Sequence, residues 1–179
     1  MPNADIGNED GTQYYPLAPM SGLYSLLTFA LLALPAVFLL SDLLWTTPLA
    51  IPAAALIAIF AWVWLRFRPS AFKIRRSGIE VIWPLKRQEI PMADIVDVRV
   101  IDRSELAEEI GWRIRIGAGG LWGVFGWLRT QRRGTVQTYI SRTDRFVWIE
   151  CTPGTPWLIT PEQSDSFVAA LRGRFAQRA

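Results

Sequence analysis

The stretch LYSLLTFALLALPAVFLL, residues 23–40, decides the architecture of this chain because it contains no charged and almost no polar residue. A second stretch without charge runs over residues 43–65. Each holds about 20 apolar residues, the length at which a helix spans a hydrocarbon core of about 30 Å. Continuous apolar runs are typical of membrane helices and not of barrel strands, which alternate. The two stretches therefore predict a transmembrane helical hairpin.

The hairpin is expected over residues 21–66, with helices at about 21–41 and 46–65. Its link is short, so the two helices must be antiparallel neighbours. Pro35 should kink the first helix, which membrane helices tolerate. Residues 1–20 carry three acidic residues and no basic one, and they are predicted to form a flexible acidic tail. A cleaved signal peptide is disfavoured, since such peptides begin with basic residues.

Charge divides the chain sharply. The first 65 residues hold four acidic residues and no basic one, whereas the other 114 hold all 19 basic and 12 acidic residues. Because segments rich in Lys and Arg stay in the cytoplasm, both termini are predicted to be cytoplasmic in a two-pass protein of the cytoplasmic (inner) membrane. A basic flank and interfacial aromatic residues are predicted to contact the membrane interface and anionic lipid: Arg66, Arg68, Lys73, Arg75 and Arg76, with Trp45, Trp62 and Trp64.

Residues 70–179 change to short alternating segments separated by turn residues, a pattern typical of β-structure. About seven strands are predicted, with residues 102–109 as a charged, solvated link. The chain is expected to end in a helix with Thr160 as its N-cap and Pro161 at its first position. Phe167 and Leu171 lie on the apolar face that this helix should turn to the sheet.

The residue types for common catalysis are missing. The chain has no His, which removes the usual general base and a common metal ligand. Cys151 is the single cysteine, too few for an internal disulfide or a zinc site. Ser141 has no His to activate it, and Lys73 and Lys86 are the only lysines. We therefore predict no enzyme activity, no cofactor, no metal and no small-molecule substrate. No nucleic-acid recognition motif stands out either, although the basic charge alone would allow such binding.

The segment FKIRRSGIEVIWPLKRQEIPMADIVDVRVI, residues 72–101, resembles the start of bacterial pleckstrin-homology-like (PH-like) domains. The chain is similar to a membrane-anchored subgroup of them over about residues 70–175. This resemblance implies a strongly bent sheet or partly open barrel with a C-terminal capping helix, and it implies no activity. In PH domains proper a basic cluster on an early loop binds inositol phosphates, and here Lys86-Arg87 is the comparable pair. Further matching residues are Gly120, Gly123, Phe125, Gly126, Tyr139, Ile159, Pro161, Phe167 and Leu171.

Residues 117–128, GAGGLWGVFGWL, form the most unusual part of the domain. They do not match a nucleotide-binding glycine motif, and no P-loop Lys follows. One interpretation is a loop that docks on a membrane or partner subunit. The other is a glycine-permitted bend whose aromatic residues belong to the core. The docking interpretation assigns partner contact to Leu121, Trp122, Phe125, Trp127 and Arg129.

The leading functional hypothesis is a non-catalytic accessory or scaffolding subunit of a larger membrane protein complex, of an energy-transducing kind such as a photosynthetic or respiratory one. Its hairpin would pack against other integral membrane subunits, and its PH-like domain would dock on the cytoplasmic face. Nine Trp in 179 residues favour extensive interfaces. The alternative is a free-standing membrane-anchored sensor or adaptor whose domain binds lipid headgroups or a peptide. Both hypotheses include membrane lipids as partners.

Overall fold

The computed structural model describes residues 12–45 and 48–176. Strand β1 (Gln13–Pro16) comes first, and two apolar helices follow it, α1 (Gly22–Trp45) and α2 (Ala50–Arg66). The domain then begins with β2 (Ala71–Ile74), β3 (Gly78–Ile82), β4 (Arg87–Pro91) and β5 (Ile95–Ile101). It continues with helix α3 (Arg103–Ile110), β6 (Arg113–Gly119), β7 (Val124–Thr130) and β8 (Gly134–Ile140). It ends with β9 (Phe146–Cys151), β10 (Trp157–Ile159) and helix α4 (Ser164–Ala176).

Helices α1 and α2 pack against each other as an N-terminal helix pair. The Asp42 carboxylate near the end of α1 accepts a hydrogen bond of 3.0 Å from the backbone N–H of Leu49, which links the end of α1 to the start of α2. Among the described residues, α1 is the one helix whose 24 residues and mean hydropathy of 2.3 suffice to cross a membrane. Helix α2 is also apolar but has 17 residues. A membrane anchor and a signal sequence share these properties.

Most apolar side chains of the helix pair are exposed in the isolated chain. In α1 only Thr28 and Pro35 are buried, and in α2 only Ala53. A helix of a water-soluble core would bury its apolar face against the rest of the protein. The exposure therefore favours a surrounding that is itself apolar.

Strand β1 corrects part of the predicted tail. Residues 13–16 pair antiparallel with β2, and Tyr15 and Ala18 are buried. The prediction of a flexible tail over residues 1–20 is therefore wrong for this part, while residues 1–11 lie outside the described residues. The chain thus enters the domain before it forms the helix pair, and it returns to the same sheet afterwards.

The domain consists of two sheets. The first has the order β1-β2-β3-β4, and the second has the order β5-β9-β10-β8-β7-β6. All neighbouring pairs are antiparallel except β10 and β8, which are parallel. In the described part of the chain the sheets remain separate and do not close into a barrel.

Core clusters lie on both faces of the six-stranded sheet. One core cluster joins it to the four-stranded sheet and to α4, with Phe72, Phe125 and Phe167 fully buried. A second cluster lies under α3, around Leu106 and Trp148, and Tyr24 of α1 packs against it. Along β9, Val147 and Ile149 face one cluster and Trp148 faces the other, so both faces of this strand carry buried apolar side chains.

Three predicted elements differ from the structure. Residues 103–110 form helix α3 and not a link, because Leu106 and Ile110 supply a small apolar face. Residues 124–130 form strand β7, which was not predicted because the glycine-rich sequence was interpreted as a loop or a bend. Helix α4 begins at Ser164 and not at Thr160. Thr160 is buried, and its hydroxyl accepts a hydrogen bond from the backbone N–H of Ser141 at 2.9 Å.

Candidate interaction site

The glycine- and tryptophan-rich segment is the end of a long β-hairpin. Strands β6 and β7 pair over seven positions from Arg113↔Thr130 to Gly119↔Val124, and residues 120–123 form the tip. Gly117 and Gly126 face each other across the hairpin with φ of 142° and 126°. A Cβ at Gly117 would lie 2.3 Å from the Phe125 carbonyl oxygen, and one at Gly126 would lie 2.6 Å from the Ile116 carbonyl oxygen. Only glycine allows this close approach.

The hairpin tip rests on the helix pair of the same chain. The Trp122 ring meets the Trp64 ring of α2 edge to face, with centroids 4.8 Å apart. The Trp122 backbone N–H donates to the Thr28 hydroxyl at 2.8 Å, and that hydroxyl donates to the Gly120 carbonyl at 3.2 Å. Thr28 is buried in a largely apolar helix, and its hydroxyl anchors the hairpin tip to α1.

The five residues of the docking interpretation differ in their burial and in their contacts. Leu121 and Phe125 are buried in the chain itself, so their assignment to partner contact is corrected. Trp122 is half-buried and contacts the chain's own helix. Trp127 and Arg129 are exposed and remain candidates for partner contact.

An uncovered apolar face surrounds Trp127. Ile114, Ile116 and Trp127 lie on the face of the six-stranded sheet that carries Phe125, as the pairings Ile116↔Trp127 and Ala118↔Phe125 place them. Their exposed fractions are 48%, 55% and 46%, and Trp112 just before β6 is 70% exposed. We call Trp112, Ile114, Ile116 and Trp127 the open sheet face. Large exposed apolar patches mark interaction sites in soluble domains.

Strand β6 is also an edge of its sheet. It pairs with β7 on one side, and no described strand pairs with its other side. The opposite edge, β5, packs against α4, and the Arg172 guanidinium donates to the Val98 carbonyl at 2.9 Å. Sequence reasoning predicted a strand at residues 112–116 but missed the open sheet face, because alternation shows that one face is apolar and not whether anything covers it.

The predicted basic flank does not form one continuous surface. Arg75 pairs with the buried Glu80 at 2.8 Å, and the Lys73 ammonium lies 5.8 Å from the Tyr14 ring centroid. Arg66 and Arg76 are exposed. The Arg68 guanidinium stacks on the Trp64 ring at 4.3 Å from its centroid. Trp45 and Trp62 are 75% and 60% exposed, as residues of an aromatic belt would be.

Positive charge concentrates where α2 enters the domain. The Trp83 indole N–H donates to the Phe67 carbonyl at 3.1 Å, which holds the β3–β4 turn against the end of α2. In that turn the Lys86 ammonium lies 5.0 Å from the Trp83 ring centroid. Burial, and secondly the positive charge of Arg66, lower the pKa of Lys86. Leu85, next to it, is 66% exposed.

The two candidate nucleophiles, Ser141 and Cys151, are both buried inside the domain. Ser141 is fully buried, and its hydroxyl donates to the Ala18 carbonyl at 2.6 Å, so it ties the segment before α1 to the domain. Cys151 is buried in the core, and burial raises the pKa of its thiol to about 11.

Glu109 of α3 pairs with Arg99 at 3.1 Å and with Arg133. Glu109 is therefore part of an ion-pair network and is not a free solvated charge as predicted.

Comparison with known proteins gives one result. The model of the bacterial PH domain family matches residues 71–175, more than half of the chain. No curated protein and no solved structure matches the chain significantly. The matched range begins with β2 and ends within α4, so it covers both sheets except β1. The chain therefore belongs to the bacterial PH domain family, whose domain is an interaction module for proteins or lipids.

Proposed function

We propose that this protein is a non-catalytic accessory subunit of a larger membrane protein complex. In this proposal α1 and α2 both cross the inner membrane, and both termini lie in the cytoplasm. The PH-like domain docks on the cytoplasmic part of an integral membrane partner. An energy-transducing complex, photosynthetic or respiratory, fits such an architecture, but no residue of the chain points to one particular complex.

The observation that carries the proposal is the open sheet face. Four large apolar side chains surround a strand edge that no described strand pairs with. Their exposure to water is unfavourable, because burial of apolar area would contribute about 25 cal/mol per Å². An extended segment of a partner can add to the edge of β6 by backbone hydrogen bonds, while its side chains cover Trp127. Arg129, exposed beside this face, adds a polar rim.

The helix pair restricts where the partner can be. The hairpin that carries the open sheet face is fixed to α1 through Thr28 and to α2 through Trp122. In the proposed topology, the open sheet face therefore keeps a constant position relative to the membrane. A membrane protein beside α1 and α2 meets both the helices and this face, which favours an integral membrane partner over a soluble one.

The test is gentle detergent extraction of native membranes, followed by native gel electrophoresis and mass spectrometry. We expect wild-type protein in a stoichiometric complex. The double variant I116S/W127A should lose the complex while its melting temperature stays unchanged. Val96→Ser is the matched control, since Val96 is 63% exposed on β5 at the opposite edge of the sheet. Migration of the wild type as a monomer or small homo-oligomer would contradict the subunit proposal.

A second candidate, a free-standing adaptor that binds lipid headgroups, is favoured by the β3–β4 turn. This turn holds exposed Leu85 beside Lys86, close to the end of α2. An apolar tip with an adjacent cation is suited to a membrane surface that carries anionic lipid. Monomeric behaviour together with loss of anionic-liposome binding in the double variant L85S/K86S would favour this second function.

A further inference from the structure

An apolar groove of about 580 Å³ runs between the two N-terminal helices. Leu32, Pro35 and Leu39 of α1 form one wall, and Ile57 and Phe60 of α2 form the other. Pro35 lacks an N–H and disturbs the helical hydrogen bonds around it, which bends a helix. Ala36 and Ala61 also line the groove, and their short side chains leave space between the helices. Its volume lies in the range of about 300–1,000 Å³ typical of ligand sites.

The domain closes one end of this groove. Trp64 and Trp122 both line it, and their edge-to-face contact joins α2 to the β6–β7 tip. Trp122 has φ of 60°, a strained value for a bulky residue, and its N–H is bonded to Thr28. The groove is therefore built partly by the helix pair and partly by the PH-like domain.

Arg68 adds an unsatisfied cation at this closed end. Its guanidinium stacks on Trp64, and its Nε is buried with no hydrogen-bond partner among the described residues. No Asp or Glu of residues 12–45 or 48–176 forms an ion pair with it. Burial lowers the pKa of Arg68, since its charge is partly desolvated. Arg68 as a whole is only partly buried, so an external acceptor can reach the rest of its guanidinium group and would stabilise this charge.

We propose that the groove and Arg68 together bind one anionic phospholipid. An acyl chain lies between α1 and α2 from Leu39 to Trp64, and the phosphate accepts hydrogen bonds from the Arg68 guanidinium. The fork of donors on Arg fits a phosphate, and the stacked ring orients it. The inference requires the helix pair to lie in a bilayer, as proposed above, and it does not depend on the protein partner at the open sheet face.

The charge and shape of the site select this occupant. A neighbouring helix would fill the groove with apolar side chains but would bring no anion to Arg68. A phospholipid carries both parts on one molecule. An anionic headgroup is favoured over a choline headgroup, because Arg66 and Lys86 add positive charge at the same end of α2.

The test uses full-length protein, delipidated in mild detergent and titrated with phosphatidylglycerol under native mass spectrometry. We expect one tightly held lipid per chain and at least tenfold weaker retention of phosphatidylcholine. Arg68→Gln should weaken phosphatidylglycerol binding by about tenfold or more, since the charge-assisted bonds are lost. Arg76→Gln is the matched control, because Arg76 is an exposed cation of the same flank. It should leave binding unchanged.

Filling the groove separates the lipid from other occupants. Ala61→Phe should reduce lipid binding to the level of Arg68→Gln while the melting temperature stays at the wild-type value. If Ala61→Phe unfolds the protein, the difference in lipid binding between Arg68→Gln and Arg76→Gln is by itself the test of the proposal. Equal lipid binding by these two variants, equal retention of phosphatidylcholine, or a dimer that only Ala61→Phe disrupts would each overturn the proposal. Loss of the protein complex without loss of lipid would affect only the proposed subunit function.

Discussion

Phe125 and Trp127 lie two residues apart on β7 and point to the same face of the six-stranded sheet. Phe125 is fully buried because the four-stranded sheet packs over it. Trp127 lies beyond that cover, close to the edge strand β6, and is 46% exposed. Two aromatic residues of the same segment therefore have different roles, one in folding and one in contact.

This difference predicts opposite effects of alanine. Phe125→Ala should lower the free energy of unfolding by about 3–5 kcal/mol, because it leaves a cavity in the core. Trp127→Ala should change it by less than about 0.5 kcal/mol, as is usual for exposed side chains. Chemical unfolding of both variants in the same detergent measures this. A loss of several kcal/mol for Trp127→Ala would show that the open sheet face is covered within the chain.

Cys151 gives a prediction on pH. Its thiol has a pKa raised to about 11 by burial and secondly by Asp94 and Glu150. Only the thiolate reacts, so about one thiol in a thousand is reactive at pH 8. Iodoacetamide should label the folded protein slowly at pH 8 and far faster after unfolding. In the unfolded protein this thiol ionises near pH 9, whereas in the folded protein it stays protonated to about pH 11. Ionisation therefore favours the unfolded state, and the free energy of unfolding should fall as the pH rises from 9 towards 11. Rapid labelling of folded protein at pH 8 would contradict the burial.

At the scale of elements, the β6–β7 hairpin depends on its paired glycines. Gly126→Ala should destabilise the protein by about 1–3 kcal/mol, because φ of 126° and a Cβ 2.6 Å from the Ile116 carbonyl oxygen both force a shift. Gly173→Ala is the control, since a Cβ there meets nothing within 4 Å inside α4. It should stabilise by up to about 1 kcal/mol through helix propensity. Thermal melting of the two variants should therefore move in opposite directions.

The joint between the hairpin and α1 depends on one hydroxyl. Thr28→Val keeps the shape of the side chain but leaves the Trp122 N–H and the Gly120 carbonyl without their partner. We expect a loss of about 1–3 kcal/mol and faster hydrogen exchange at the hairpin tip. Ser25→Ala is the control, since no side-chain hydrogen bond of Ser25 exists among the described residues. Unchanged exchange at the tip in Thr28→Val would mean that this joint is not needed to position the domain.

At the scale of the whole molecule, the distribution of charge predicts orientation. A reporter fused after Ala179 should be active only in the cytoplasm, and one inserted near Thr46 only outside. The reason is that all 19 basic residues follow the second apolar stretch. Fusions of an alkaline phosphatase and a fluorescent protein at both sites provide the measurement. The reverse pattern would overturn the charge argument, and a cleaved N-terminus would favour a signal sequence.

Local sequence determined much of this protein. Continuous apolarity over residues 23–40 predicted helix α1, because a lipid environment requires internal backbone bonding and a fixed length. Alternation predicted most strands of the domain, since neighbouring side chains of a strand face opposite sides. The motif between residues 72 and 101 indicated the family, which the match over residues 71–175 confirmed. These features depend on neighbours a few positions apart along the chain.

Only the tertiary structure decided which apolar residues are covered. Contacts between distant segments bury Phe125 and leave Trp127 exposed, and they join residues 13–16 to β2 across the entire helix pair. The same holds for Arg68, which the sequence analysis assigned to the basic flank at the membrane interface. The fold instead stacks it on Trp64 and leaves its Nε buried without a partner among the described residues. Burial depends on how the elements pack against one another, so the periodicity of one element cannot predict it.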